Sequence, residues 1–493
     1  MDPRAPRRFN AWLAIIGAAF LLPVLVGIIR GPALGYDEAI YAQLSRALAG
    51  GPEAVGAGSY RPLGVSIAAM PIALVSDQDW AYRLLGAASG IGLVIASWWL
   101  GRSVSTSTAG ILAAVAVAAA WPIQIESTTL LTDVPAAALV VVATGLTWRL
   151  VDPSRIGPRE ASWREIVGIA AVAAVAFYVR YGSLILLIAV AIAAGITAPS
   201  TARRSLVRVV AAAAVLLLPH AVHASVTTGV PWGIAVNAQR AAGEDAGIAA
   251  LATYAGLLPT QIVGPLGAGL AVVGIVTAIG SIGGTSAPAA LGRFLGIAAV
   301  GQAGALVAAS HAESRYAFVP MVLLAVLGSA RLVSWLATRG GDRWKAAGVA
   351  TAAVALALGA FMTSTEIDRR IAVWGWTRDV ADAIGSDAGS RPCGIVTSDA
   401  PIMAWYTRCA VTSYGTPPSL RSLETLEGPL RYVILRADGH HQPSSEEVGG
   451  AAFLSEPWRR FEDGTGADAA AVYRLDVPQA MSRLTSGVTS SAK

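Results

Sequence analysis

Apolar blocks separated by short polar punctuation make up most of this chain. Runs rich in Ala, Val, Leu and Ile recur at about 11–29, 80–100, 106–122, 134–150, 165–181, 183–198, 206–224, 256–280, 293–310, 316–336 and 346–363. That is about 11 segments, most of them of the roughly 17–25 residues that a helix needs to cross a bilayer. Residues 63–75, about 13 positions with Pro71 inside, are too short to cross and read as a re-entrant or interfacial segment. After Phe361 the pattern changes. Short β-like runs at 394–398 (GIVTS), 432–436 (YVILR) and 470–475 (AAVYRL) alternate with helical patterns at 374–384 and 400–407. The spacing predicts a mostly α, polytopic membrane protein carrying a small C-terminal extracytoplasmic α/β domain. Its parts are a membrane domain over 1–363 with a first outer loop at 31–79, the α/β domain over 364–480, and a disordered tail at 481–493.

Composition agrees with the pattern. Of 493 residues 55% are hydrophobic and 14% charged, and the mean hydropathy is +0.58, whereas soluble domains are about 25% charged. A net charge of +5 invites a nucleic-acid reading, but the basic residues flank spans and no nucleic-acid motif is present. Arg4, Arg7 and Arg8 precede a first apolar run that is long for a signal peptide and lacks a small-x-small exit, so it reads as a retained span. With the N-terminus in the cytoplasm, the inner side collects sixteen basic residues: Arg4, Arg7, Arg8, Arg102, Arg149, Arg155, Arg159, Arg164, Arg203, Arg204, Arg208, Arg293, Arg331, Arg339, Arg343 and Lys345. The outer side of the membrane domain keeps seven: Arg30, Arg46, Arg61, Arg83, Arg180, Arg240 and Arg315. That imbalance predicts a cytoplasmic N-terminus, and an odd number of spans puts the α/β domain outside. Usage rich in Ala, Arg and Gly with scarce Lys indicates a GC-rich bacterial gene, hence the bacterial plasma membrane.

The only cysteines, Cys393 and Cys409, both fall in the α/β domain. They are either a disulfide or two buried thiols, and an oxidising compartment favours the disulfide.

The polar residues of the outer face are unusual in kind. Asp37 and Glu38 open an amphipathic stretch (GYDEAIYAQLSRAL, 35–48) whose Ile40, Leu44, Ala47 and Leu48 predict a helix lying on the bilayer surface. Arg61 precedes Pro62; Glu126 and Asp133 flank a short loop; Arg180 sits in a turn; His311, Glu313, Arg315 and Tyr316 form another. Each alone is explained by helix capping, interfacial anchoring or solvated turns. Their one-sidedness, at the outer ends of several spans, points instead to a site. A carboxylate beside guanidinium groups at a lipid–water boundary suits sugar transfer from a lipid phosphate. The acid takes the acceptor's proton, and arginines hold the phosphate that leaves.

Several motifs resemble the polytopic GT-C glycosyltransferases, especially the protein O-mannosyltransferase-like group that includes the lipid A aminoarabinose transferase. They are DEAIY at 37–41, Arg61-Pro62, WAYRLLGAASG at 80–90, LLTD at 130–133 and HAESRYAFVP at 311–320. The resemblance spans the membrane domain. It implies a polyprenyl-phosphate-sugar donor of mannose or pentose type and an extracytoplasmic lipid, glycan or protein acceptor. It implies Asp37 as base and Asp133 as a second acid that positions substrates. Glu38, Tyr41, Arg61, Arg83, Glu126, Arg180, His311, Glu313, Arg315 and Tyr316 become substrate-binding candidates. Arg61 and Arg180 stand where relatives often carry Lys, which keeps the charge and changes its geometry. Glu38 is also the candidate for a divalent metal, which such enzymes use variably.

A transporter or lipid flippase of the cell envelope is the alternative, since it too places charges among spans. Transporters carry internal repeats and broken helices near the midplane; no repeat is visible, and the acids lie at span ends. A non-catalytic assembly protein using its outer domain for binding is a third reading. Turnover of a lipid-linked sugar separates all three.

Overall fold

The computed structural model describes residues 5–476, apart from 59, 153–160, 242–247, 258, 310–311, 340–341, 427–428 and 440. The expected tail at 481–493 lies outside the described residues. The chain forms two compact units. The first takes residues 1–29, 59–68 and 83–365; the second takes 30–58, 69–82 and 366–493.

The first unit is a bundle of apolar helices. Eight helices are long and apolar enough to cross a membrane: Asn10–Arg30, Asp79–Val104, Asp133–Val151, Ser200–Thr228, Thr260–Gly280, Ala287–Ala308, Ser314–Arg339 and Ala346–Trp374. The other three predicted spans are shorter. The 163–179 and 183–197 helices have 17 and 15 residues, about 22–26 Å at 1.5 Å per residue. The segment predicted at 106–122 breaks after Ala118 and resumes at Trp121. Pro122 explains the break, because it has no N–H to offer the Ala118 carbonyl four residues back and its ring would clash with that carbonyl in a continuous helix.

The bundle's core is Leu, Val and Ala with Phe20, Phe294 and Phe318. Apolar side chains also line the outside: on the Ser200–Thr228 helix Val207, Val210, Val215, Leu218, Val222 and Val226 are all exposed. Apolar surface on this scale is stable only against lipid. Inside, a buried polar chain ties the last helix to the broken segment. Thr363 Oγ1 donates to Gln124 Oε1 at 2.6 Å, and Gln124 Nε2 donates to the Ala118 carbonyl at 2.5 Å. These bonds satisfy groups that hydrocarbon would leave stranded.

The second unit contains the α/β domain. Its five strands are β1 (Cys393–Thr397), β2 (Ala410–Thr412), β3 (Leu430–Arg436), β4 (Arg459–Glu462) and β5 (Asp468–Asp476). They lie in the order β2-β1-β3-β5-β4. β1 is parallel to β2 and β3, while β5 is antiparallel to β3 and β4. The three runs read from sequence are β1, β3 and β5. β2 and β4 are not legible there because they are edge strands of three and four residues, too short to establish an alternation.

The helix Trp376–Ala388 buries Trp376, Thr377, Val380, Ala381, Ile384 and Ala388, one face at helical period. Cys393 and Cys409 form the expected disulfide, joining the ends of the segment that carries the helix Ala400–Tyr406.

The predicted outer loop folds largely with this unit. Its helix, Tyr36–Leu48, buries Glu38, Ala39, Ile40, Tyr41, Ala42, Gln43 and Ser45, while Leu48 is exposed. Of the stripe Ile40, Leu44, Ala47 and Leu48 read from sequence, Ile40 is buried, Leu44 and Ala47 are half-buried and Leu48 is exposed.

Candidate active site

In the helical unit, three carboxylates and two arginines converge at helix ends. Asp133 begins the Asp133–Val151 helix, where an acid complements the positive end of the peptide dipoles. Its carboxylate is 5% exposed and pairs directly with Arg180, the residue that ends the 163–179 helix. Arg315, in the 3₁₀ turn Ser314–Ala317, reaches the same acid, its Nε 3.7 Å from Asp133 Oδ2. Arg315 also pairs with Glu313, and its Nη1 lies 4.0 Å from Glu126 Oε2. Tyr316 floors the cluster, with the Arg180 guanidinium 4.1 Å and that of Arg315 5.6 Å from its ring centre. The sum is three negative and two positive groups, partly buried. Each guanidinium is oriented by carboxylates and an aromatic face, which pre-organises its remaining N–H groups.

Arg61 belongs to the same unit. Its guanidinium lies 5.2 Å from the Tyr60 ring centre. Three residues on, Gly64 meets the end of the 163–179 helix so closely that a Cβ there would sit 2.6 Å from the Tyr178 carbonyl oxygen. Only glycine allows that approach, and it brings the Arg61 segment to the chain just before Arg180. Arg83 is buried, at 3% exposure, in the first turns of the Asp79–Val104 helix.

Asp37, Glu38 and Tyr41 fall in the second unit. Asp37 is half-buried on the first turn of the Tyr36–Leu48 helix. Glu38 is buried and accepts the Gly35 N–H at 3.0 Å through Oε2. Tyr41 is buried at 4% exposure. His311 lies outside the described residues. Sequence thus led to Glu126, Asp133, Arg180, Glu313, Arg315 and Tyr316, which the fold brings together although up to 190 positions separate them (316 − 126).

The metal candidate fits poorly. Among the described residues no group of three or more His, Cys, Asp or Glu side chains is arranged to hold an ion, and Glu38 is committed to its helix cap.

Sequence reasoning missed the polar network around Tyr406 in the second unit. The Tyr406 hydroxyl accepts the Leu34 N–H at 2.8 Å and donates to Asp79 Oδ2 at 2.9 Å. Arg378 pairs with the same Asp79 and donates to the same hydroxyl at 3.2 Å. Burial first, then the Asp79 charge, pushes the Tyr406 phenol up to about 12. No motif could have signalled this network, whose members lie 28 to 372 positions apart.

No family model matches the sequence, and no curated protein does. Solved structures do. The fold is similar to that of ArnT from Cupriavidus metallidurans bound to undecaprenyl phosphate, at a TM-score of 0.67 and 15% identity, covering 94% of this chain and 98% of that one. It is similar to the archaeal oligosaccharyltransferase AglB from Archaeoglobus fulgidus in complex with an inhibitory peptide and a dolichol-phosphate, at 0.61 and 11% identity, covering 88% and 70%. It is also similar to the mycobacterial arabinofuranosyltransferase AftD, at 0.52 and 14% identity, where 95% of this chain matches 41% of the larger one. At these identities the likeness is one of fold. The fold expected from the motifs, that of the GT-C glycosyltransferases, is the fold observed.

Proposed function

We propose that this chain is an integral membrane glycosyltransferase. It moves a sugar of mannose or pentose type from a polyprenyl-phosphate donor to an acceptor hydroxyl on the extracytoplasmic face of a bacterial plasma membrane. The observation that carries the proposal is the partly buried cluster of Arg180 and Arg315 with Asp133, Glu126 and Glu313 at helix ends. Its setting supports it: the chain shares its fold with a structure bound to undecaprenyl phosphate and another bound to dolichol-phosphate.

The chemistry is a single displacement. The acceptor oxygen bonds to the anomeric carbon as the bond from that carbon to the phosphate oxygen breaks. The electron pair leaves on polyprenyl phosphate, and the hydroxyl proton passes to the Asp37 carboxylate. The leaving phosphate is stable as an anion, so it asks for cationic donors rather than for an acid. Arg180, Arg315 and Arg61 supply them, and Asp133 fixes the first two in place. The helix directions support the sidedness, since the Asp79–Val104 and Asp133–Val151 helices each start with a carboxylate and carry an arginine in the last turn.

Purified protein in nanodiscs, given radiolabelled polyprenyl-phosphate sugars and envelope lipid, glycan and peptide acceptors, should release polyprenyl phosphate and label an acceptor. Movement of the labelled lipid between leaflets without release of phosphate would favour the flippase reading and overturn this one.

A further inference from the structure

We infer that the disulfide-closed segment 393–409 is a clamp on the loop that carries Asp37, and that Tyr406 is a positioning residue for that carboxylate. The inference rests on the transferase reading above for its functional half only; every contact it uses lies within the second unit.

The segment's short helix, Ala400–Tyr406, grips the loop at three places. The Tyr406 hydroxyl accepts the Leu34 amide, three residues before Asp37 and just ahead of the Gly35 cap. The Pro401 carbonyl accepts from Gln43 Nε2 at 2.8 Å, and Gln43 Oε1 in turn accepts the Val55 N–H at 3.0 Å. The Trp405 ring lies beneath the Arg46 guanidinium at 3.4 Å and meets the Tyr82 ring edge-on at 5.3 Å. The 36–48 helix is thus held at its entry, its middle and its last turn.

Tyr406 is the most tightly specified of these grips. A phenol hydroxyl has one proton to give and two lone pairs to receive. Here the proton goes to Asp79 and the lone pairs take Leu34 and Arg378. Because that capacity is full, the hydroxyl fixes the Leu34 backbone in direction as well as distance. The Cys393–Cys409 bond closes the 393–409 segment that carries the gripping helix, so the clamp is held covalently from β1 to just beyond Tyr406. An acid whose helix is tied this closely to a second element can be held to within the fraction of an ångström that proton transfer needs.

The test uses the full chain in nanodiscs and two readouts. In Tyr406→Phe, amide hydrogen exchange over residues 33–48 should speed up. The kcat should fall roughly 10²-fold, the scale of an ångström of misplacement, with the donor KM near that of the parent. Gln43→Met, which keeps length and removes both bonds, should move the same two readouts and serves if Tyr406→Phe does not fold. Cys393→Ser with Cys409→Ser should do so in part. Tyr432→Phe is the structural control. Its hydroxyl donates to Asp387 at 2.5 Å elsewhere in the same domain, so it should lower the melting temperature and leave kcat intact. Parental exchange at 33–48 in both Tyr406→Phe and Gln43→Met would overturn the clamp. Faster exchange with parental kcat would overturn the positioning role, as would an equal kcat loss in Tyr432→Phe. An inactive parent whose exchange still depends on Tyr406 would overturn the transferase reading and leave the clamp standing.

Discussion

Two neighbouring carboxylates at the start of the 36–48 helix have different work to do. Glu38 is turned back on the Gly35 N–H as the N3 partner of the helix start. If Asp37 is the base, Asp37→Asn keeps its volume and removes its basicity, so turnover should fall by roughly 10²–10⁴-fold with donor affinity retained. Parental turnover in that variant would remove Asp37 from the chemistry. At Asp133 the issue is burial. Taking away Arg180 leaves an acid of 5% exposure facing only the more distant Arg315, and losing one partner of a buried pair costs about 3–5 kcal/mol. Arg180→Gln should thus lower both stability and donor binding. Adding Asp133→Asn should restore the stability and not the binding, because the buried charge is gone while the phosphate contact is still missing. Recovery of donor affinity in the double variant would show that Arg180 serves only Asp133.

Elements set what the sequence can reveal. Spans are legible because lipid demands long apolar runs, and eight of the expected segments are helices of that length. The break between Ala118 and Trp121 is legible only in Pro122, a single residue inside an otherwise apolar run. In the α/β domain the buried strands β1 and β3 announce themselves as continuous apolar runs; the edge strands do not. The grouping of Arg180 and Arg315 around Asp133 is legible as a bias of charge toward one face. The Tyr406 network is not, since it depends on tertiary contacts between residues that are ordinary in their local sequence. That network makes its own prediction. Unfolded tyrosine ionises near 10, whereas in the fold the Tyr406 phenol is pushed up to about 12. The folded state holds this proton more tightly, so its contribution is fully present below about pH 10 and is lost as pH rises through about 12. A rise from near 10 to about 12 bounds the effect at roughly 3 kcal/mol. Melting of the second unit should therefore fall steeply between about pH 10 and 12, and Tyr406→Phe should flatten part of that fall. Tyr414 and Tyr432, raised in the same direction by burial, account for the remainder. A fall as steep in Tyr406→Phe as in the parent would show that the phenol is not held as described.

For the molecule as a whole, the quantity to be tested is sidedness. Sixteen basic residues on one side of the membrane domain against seven on the other are the ground for proposing a cytoplasmic N-terminus. The structure bears on the parity of the spans. The 163–179 and 183–197 helices are joined by a short turn through Arg180 to Gly182. As a hairpin they add an even number of crossings, whether they traverse the bilayer fully or dip into it. If each of the eight long helices and the broken 107–126 segment crosses once, the total is nine, or eleven with the hairpin. Either total is odd, which predicts an α/β domain on the side opposite to the N-terminus. The native cysteines are joined, and among the described residues none is free, so a single introduced thiol can report its own side. Ser445→Cys, at an exposed position of the α/β domain, should react with a membrane-impermeant maleimide in intact cells. Ser200→Cys, exposed beside Arg203 and Arg204 at the start of its helix, should react only after the membrane is permeabilised. The reverse pattern would place the arginine-rich ends outside and put the proposed transfer on the cytoplasmic face. Labelling of both positions in intact cells would require an even number of crossings between them, and would rule out the 260–280, 287–308, 314–339 and 346–374 helices with the 200–228 helix as five successive spans.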